Sequence, residues 1–296
     1  MAVLQYVTQF SSRILEMYGH ELMSHDLFNS NPDIQIRGAK ELKLPKLTVS
    51  GYKDHTRGAG FNAGTYANEF EVKSLDHDRD IEFAIDPMDV DETNQIVSIA
   101  NIQSRFEKTQ AIPELDCYTF SKLYSEFVRV GGVVKHTVIT TANVLADFDD
   151  VCEAFKDAGV PLSRCILYCT AAYEKTLKNA EGIQRTLEVT GAHGIDRRVN
   201  SMDDLGKIVV VPKDRFKTAY DFTNGYAVAG SGKQINYILV DPEAQVSRVK
   251  YSYINVYTPG HDSRCADNYM YQNRRFNGTF ALEELLKAGC AINAAE

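Results

Sequence analysis

Three kinds of residue pattern in this chain could carry chemistry. Residues 227–234, AVAGSGKQ, place glycines and a lysine much as a phosphate-cradling loop does. The match fails at both ends, because Ala227 stands where the first glycine belongs and Gln234 where the metal-binding Ser or Thr belongs. The run that follows, QINYILV, reads as a strand, whereas such a loop opens a helix. Residues 76–80, DHDRD, have the alternating carboxylates that begin a calcium loop. Ile81 replaces the glycine that the loop's sharp turn requires, and the closing glutamate falls on Pro87. A charged turn is the favoured reading, with Asp76 and Asp78 available to pair with an Arg or Lys of a neighbour. The seven histidines, at 20, 25, 55, 77, 136, 193 and 261, form no HExxH, and no GxSxG elbow occurs. No catalytic residue, metal site or cofactor is therefore expected, although a triad assembled in space leaves no local trace.

The six cysteines, Cys117, Cys152, Cys165, Cys169, Cys265 and Cys290, contain no CxxC pair and read as buried thiols of a reducing compartment. At 296 residues, 44% hydrophobic and 24% charged, the chain can bury a sizeable core, and two subdomains are expected. Mean hydropathy is −0.28 and the pI about 5.5. A formal charge of −8 without a basic run argues against a protein built to grip nucleic acid, and suits a surface that must not stick to it. No apolar run approaches the roughly 20 residues needed to cross a bilayer, and the N-terminus lacks the layout of a secretion signal.

The elements that must position these groups centre on residues 76–127. Ile81, Phe83 and Ile85 alternate with Glu82, Ala84 and Asp86, the period of a half-buried strand, which Pro87 ends. A helix over 91–108 would carry Ile96, Ile99, Ala100, Ile102 and Phe106 on one side. Its back, with Asn94, Gln95, Ser98, Asn101, Gln103 and Ser104, bears no charge between Glu92 and Arg105, which suggests a second contact surface. Pro113 is expected to start another helix, stopped by Gly131-Gly132. Upstream, residues 9–28 have helical spacing and 33–46 read as extended. Residues 47–85 read as one long β-hairpin whose tip, Arg57 to Gly64 (RGAGFNAG), uses Gly58, Gly60 and Gly64 for positive φ. Such an arm is marginal alone and needs a surface to lie on. From 140 onward the texture is alternating α/β, followed by long antiparallel stretches at 246–257 and 268–280 and a helix over 282–288.

This order of pieces resembles the major capsid proteins of tailed bacteriophages with the Hong Kong 97-type fold. The resemblance spans roughly residues 33–292 and is most specific in DRDIEFAIDPMDVDETNQIVSIANIQSRFEKTQAIPELD. It implies an α+β fold with an N-terminal arm (1–46), an E-loop hairpin (47–86), a peripheral domain with a spine helix (87–140 and 244–296) and an axial domain (141–243). It also implies self-assembly into pentamers and hexamers around double-stranded DNA, without sequence-specific binding and without a membrane. Scaffolding and portal proteins would be partners, with room for a decoration protein, and the location would be the virion capsid, assembled in the host cytoplasm. The candidate interface residues are Arg57, Gly58, Gly60, Phe61, Gly64, Asp76, Asp78, Arg79, Asn94, Gln95 and Asn101. The tip from Gly58 to Thr65 carries no lysine, so the autocatalytic crosslinking of some relatives is not expected. Two other readings stand beside this one: a nanocompartment shell of the encapsulin type, and a cytoplasmic α/β enzyme with an inserted β arm.

Overall fold

The computed structural model describes residues 22–28, 41–55, 57, 61–88, 99–180, 205–261, 265 and 267–296. In chain order, β1 (Glu41–Val49), β2 (Tyr66–Ser74) and β3 (His77–Ile85) lead into a helical rod. The rod is α1 (Ile99–Phe106), a π-helical turn (Glu107–Ala111) and α2 (Ile112–Arg129). Then come α3 (Val144–Asp157), β4 (Ile166–Thr170), α4 (Ala171–Lys178), β5 (Lys207–Val211), β6 (Tyr220–Asp221), β7 (Ala227–Val228) and β8 (Ile235–Val240). Last are β9 (Gln245–Tyr257), β10 (Tyr269–Ala281), α5 (Glu283–Ala288) and β11 (Cys290–Ala294).

These elements form two main sheets with the rod between them. One is antiparallel, in the order β3-β10-β9, and the other is mixed, in the order β11-β8-β4-β5. Strand period decides the packing of the mixed sheet. Ile166, Tyr168, Ile238, Val240 and Ile292 turn one way, onto Phe120, Leu123 and Phe127 of α2. Leu167, Cys169, Tyr237 and Leu239 turn the other way, onto Phe148, Val151 and Phe155 of α3 and Tyr173 and Leu177 of α4. Each of these large side chains contributes about 1.5–3 kcal/mol by leaving water.

Because α2 lies between two sheets, it is buried on more than the one face expected for it, and Asp116, Thr119, Ser121 and Glu126 are buried along with its apolar residues. Each finds a partner: Thr119 Oγ1 donates to the Leu115 carbonyl at 2.8 Å, and Ser121 Oγ to the Tyr118 carbonyl at 3.2 Å. Gly131, at φ 80°, ends the helix, and the Gly132 N–H reaches back to the Phe127 carbonyl at 2.9 Å.

Four expectations need correction. The helix expected over 9–28 does not run to Phe28; its part before Leu22 lies outside the described residues, and His25–Leu27 form a single 3₁₀ turn. The reason is Asp116, whose buried carboxylate takes the N–H groups of Met23 (3.3 Å) and Ser24 (2.9 Å) and the Ser24 hydroxyl (2.9 Å). The hairpin is not 47–85: β1 and β2 pair from Glu41↔Ser74 to Val49↔Tyr66, while β3 leaves for the sheet with β10. Residues 91–108 and the helix at Pro113 are not two helices, since the π turn joins α1 to α2. Finally, β11 closes the mixed sheet beside β8, so residues 244–296 do not all stay with the three-stranded sheet.

Candidate assembly surfaces

The β1–β2 arm forms a two-stranded sheet of its own. Its end is tied by Ser50, whose N–H donates to the Thr65 carbonyl and whose Oγ accepts from the Thr65 N–H, both at 2.9 Å, and by the Asn62 amide, which donates to the carbonyls of Lys53 (3.3 Å) and Asp54 (2.9 Å). Gly64 does not have the positive φ expected of it; it leaves room beside Ser50 Oγ, which an added Cβ would meet at 3.3 Å. Arg57 and Phe61 are exposed, while Gly58 and Gly60 lie outside the described residues. Large apolar side chains line the arm in water: Val49, Tyr52, Phe61 and Tyr66 are 72–109% exposed.

The base of the arm is anchored by charge. Lys73 lies 4.0 Å from Glu126 and 3.8 Å from Glu283, and Arg129 bridges the same two carboxylates at 2.8 Å each. Asp76 accepts from the Tyr118 hydroxyl and from Lys122 Nζ, both at 2.5 Å. Burial alone would raise the Asp76 pKa, but these two donors hold it below the ordinary carboxylate value. Asp78 is held bidentately by Arg274 at 3.0 and 2.6 Å, and Arg79 Nε pairs with Glu114 at 2.7 Å. The turn into β3 and β3 itself thus set Asp76 and Asp78 beside cations of their own chain. The nominations of Asp76, Asp78 and Arg79 become ones of position, at the root of the arm.

His77, at the same root, is buried at 5% exposure, stacked on Tyr118 (centroids 4.0 Å apart) with Phe222 edge-on at 5.3 Å. Burial and the Arg79 charge lower its pKa to about 4, against the opposing charges of Asp76 and Asp78. It forms one wall of a cleft of about 530 Å³ between β3, the π turn and the loop joining β6 to β7. Ile81, Phe83, Phe106 and Leu115 give the cleft an apolar floor, and Asp80, Glu114, Asn224 and Asn277 give it a polar mouth. The loop from β6 to β7 is latched to β3 and to the rod: Arg79 Nη2 donates to the Gly225 carbonyl at 3.5 Å and the Tyr226 hydroxyl to the Thr109 carbonyl at 3.3 Å. Thr109 is the residue whose α-helical donor would have been the missing N–H of Pro113.

The neutral helix back was placed one step out of register. Asn101 is exposed, but Gln103 is 1% exposed, and Asn94 and Gln95 lie outside the described residues. The side facing the sheet is defined by Gln103 and Glu107, four residues apart. Glu107 bonds Arg275 Nη2 at 2.9 Å and Asn273 Nδ2 at 2.8 Å. Burial raises the pKa of Glu107 while Arg275 opposes it. The sequence reading missed this buried network. Its trace was the alternation of Tyr271, Asn273, Arg275 and Asn277 at inward positions of β10, opposite a lone glutamate in the apolar line of the helix.

No family model matches the chain, and no curated protein matches it either. Solved structures do. The mature capsid of bacteriophage PhiM1 aligns at a TM-score of 0.61 and 11% identity, over 87% of this chain and 82% of that one. The capsid of cyanophage P-SCSP1u aligns at 0.54 and 12% identity, over 89% and 85%. A virus-like particle from Pyrococcus furiosus aligns at 0.52 and 11% identity, over 98% of this chain and 99% of that one. Shared topology over nearly the whole length at such low identity is a statement about fold, and the chain has the fold of bacteriophage capsid proteins, the Hong Kong 97-type architecture expected from its passage of hairpin into helix.

Proposed function

We propose that this chain is the structural subunit of an icosahedral phage head, assembling with copies of itself into pentamers and hexamers that enclose double-stranded DNA. The observation that carries this reading is the β1–β2 arm, which exposes Val49, Tyr52, Phe61 and Tyr66. A two-stranded arm is marginal in water by itself, and exposed aromatic residues in a contiguous stretch mark a surface meant to be covered. The capsid fold supports the reading because its relatives of known structure are shells. Many modest contacts, each reversible enough to correct errors, would add up to a stable shell. The net charge of −8 would keep packaged DNA from adhering to the lining. Scaffolding and portal proteins, and a decoration protein on the outside, would be the other partners, with assembly in the host cytoplasm. No catalytic role is proposed.

A nanocompartment shell is the second reading; the likeness to the virus-like particle over 98% of the chain supports a shell without favouring this reading over the phage head. Negative-stain electron microscopy tests both, on the protein expressed alone and with its neighbouring genes. Closed shells, tubes or isolated capsomers are expected. DNA inside them supports the phage head and a cargo enzyme supports the nanocompartment, while a homogeneous monomer or dimer in both samples overturns the shell reading.

A further inference from the structure

We propose that Asn224–Gly225, in the turn between β6 and β7, is a site of spontaneous self-modification. The chain closes a cyclic imide on itself there, water opens it to aspartate or isoaspartate, and the isoaspartate form releases the loop from β3. Nothing in this chemistry requires the chain to form a shell.

The chain has two Asn-Gly pairs, Asn224–Gly225 and Asn277–Gly278. Glycine after asparagine lets the backbone nitrogen approach the side-chain amide carbon, because no Cβ stands in the way. Backbone conformation decides whether it does so, and here the pairs differ although both asparagines line the same cleft. Asn277 is 3% exposed and sits in β10 between two paired strands, opposite His77 and Val249. An extended, laddered backbone holds the next N–H away from the side-chain carbon. Asn224 is exposed in a turn, Gly225 has a φ of 78°, and among the described residues no hydrogen bond holds the Asn224 side chain. The chain is fixed on either side of it. Asp221 Oδ1 accepts from the Thr223 N–H at 2.9 Å and from the Thr223 hydroxyl at 2.6 Å, and the Gly225 carbonyl accepts from Arg79 at 3.5 Å.

The reaction needs only water. The Gly225 nitrogen attacks Asn224 Cγ, the bond from Cγ to the side-chain nitrogen breaks, and that nitrogen leaves as ammonia with the proton from Gly225. Hydrolysis of the imide at Cγ gives aspartate. Hydrolysis at the Asn224 main-chain carbonyl carbon gives isoaspartate, whose main chain runs through Cβ and Cγ. Either product puts a carboxylate among Asp80, Glu114, Arg79 and Arg275, a lining of balanced charge, so charge alone is not the lever. Isoaspartate also adds a methylene to the main chain just before Gly225. That shifts the carbonyl held by Arg79, whose 3.5 Å is already at the long end of a hydrogen bond.

The test holds the full chain, folded, at mildly alkaline pH over weeks and digests samples with trypsin. Each pair falls in its own peptide, residues 218–233 for Asn224 and residues 276–287 for Asn277. Electron-transfer fragmentation distinguishes isoaspartate from aspartate in each. Peptide 218–233 should convert at least an order of magnitude faster than 276–287, and the two should convert alike once the protein is unfolded in urea. Equal rates in the folded protein, or a 218–233 peptide that stays intact, overturn the site. Hydrogen exchange over residues 222–226 reads the latch. Aged protein should exchange several-fold faster there than fresh protein. Asn224→Gln, whose longer side chain disfavours the ring, should age without change, and Asn224→Asp, which carries the charge without the longer main chain, should match the fresh protein. An aged chain that exchanges no faster than Asn224→Gln, or an Asn224→Asp chain that exchanges as fast as the aged one, overturns the release of the loop by isoaspartate.

Discussion

At the scale of single residues, the root of the arm combines exposed ion pairs with one buried titratable ring. His77 is held neutral by burial and by Arg79, with a pKa of about 4 against an ordinary 6.5. The unfolded chain takes up a proton between those two values that the folded chain refuses. The stability His77 contributes is therefore complete above pH 6.5 and is lost as pH falls toward 4. A shift of this size corresponds to about 3 kcal/mol at most. His77→Phe keeps a ring against Tyr118 but has no proton to accept. Urea midpoints at pH 7 and pH 4.5 should show the unmodified protein losing about 2 kcal/mol more than the variant over that interval. Equal losses would mean that the ring is solvated. The Glu107–Arg275 pair, by contrast, is buried on both sides, at 1% and 6% exposure, and removing either partner would strand the other charge away from water.

At the scale of elements, the rod is unusual in running from α1 through a π turn into α2. That turn begins at Glu107, which faces Asn273 and Arg275 of β10, and its wider winding lets Pro113 enter the next turn without an N–H to give. The joint between the arm and the sheet depends on close approach. Gly278 in β10 lies against Leu75, one of the two residues between β2 and β3, and an added Cβ would come within 2.2 Å of Leu75 Cδ2 and 2.9 Å of Phe280 Cζ. Gly278→Ala is therefore expected to cost about 1–3 kcal/mol through overpacking, read as a fall in urea midpoint. Leu75→Ala in the same chain should recover part of that loss, because it vacates the space the new methyl needs. Strictly additive losses would show that the strain lies elsewhere.

At the scale of the whole molecule, folding and assembly are separable. The largest cores lie around α2 and the mixed sheet, and among the described residues the end of the β1–β2 arm contributes none of theirs. Deleting residues 58–64 should consequently leave the thermal transition within a few degrees of that of the unmodified chain. The same deletion should abolish or misshape shells in sedimentation and electron microscopy. Shells of unchanged yield and shape would show that the arm is not the clamp between subunits.

Local patterns determined much of this protein. The alternation of Ile81, Phe83 and Ile85, the stop at Pro87, the helix ended by Gly131-Gly132 and the strands around residues 166–170 and 235–240 each follow from neighbours a few residues apart, so they were legible in the sequence. The arm was legible as a hairpin, but its bounds were not, because whether the strand after Ser74 continues the hairpin or departs is decided by β10, which lies nearly two hundred residues later. The same holds for Asp76 and Asp78, whose cations Lys122 and Arg274 are distant in the chain. Gln103 and Glu107 point inward because Asn273 and Arg275 are there to meet Glu107, and a helical period cannot reveal a polar residue's partner on another element. The cleft is tertiary altogether: β3, the rod and the β6–β7 loop meet only when the chain has folded, since burying α2 between two sheets is what brings them together.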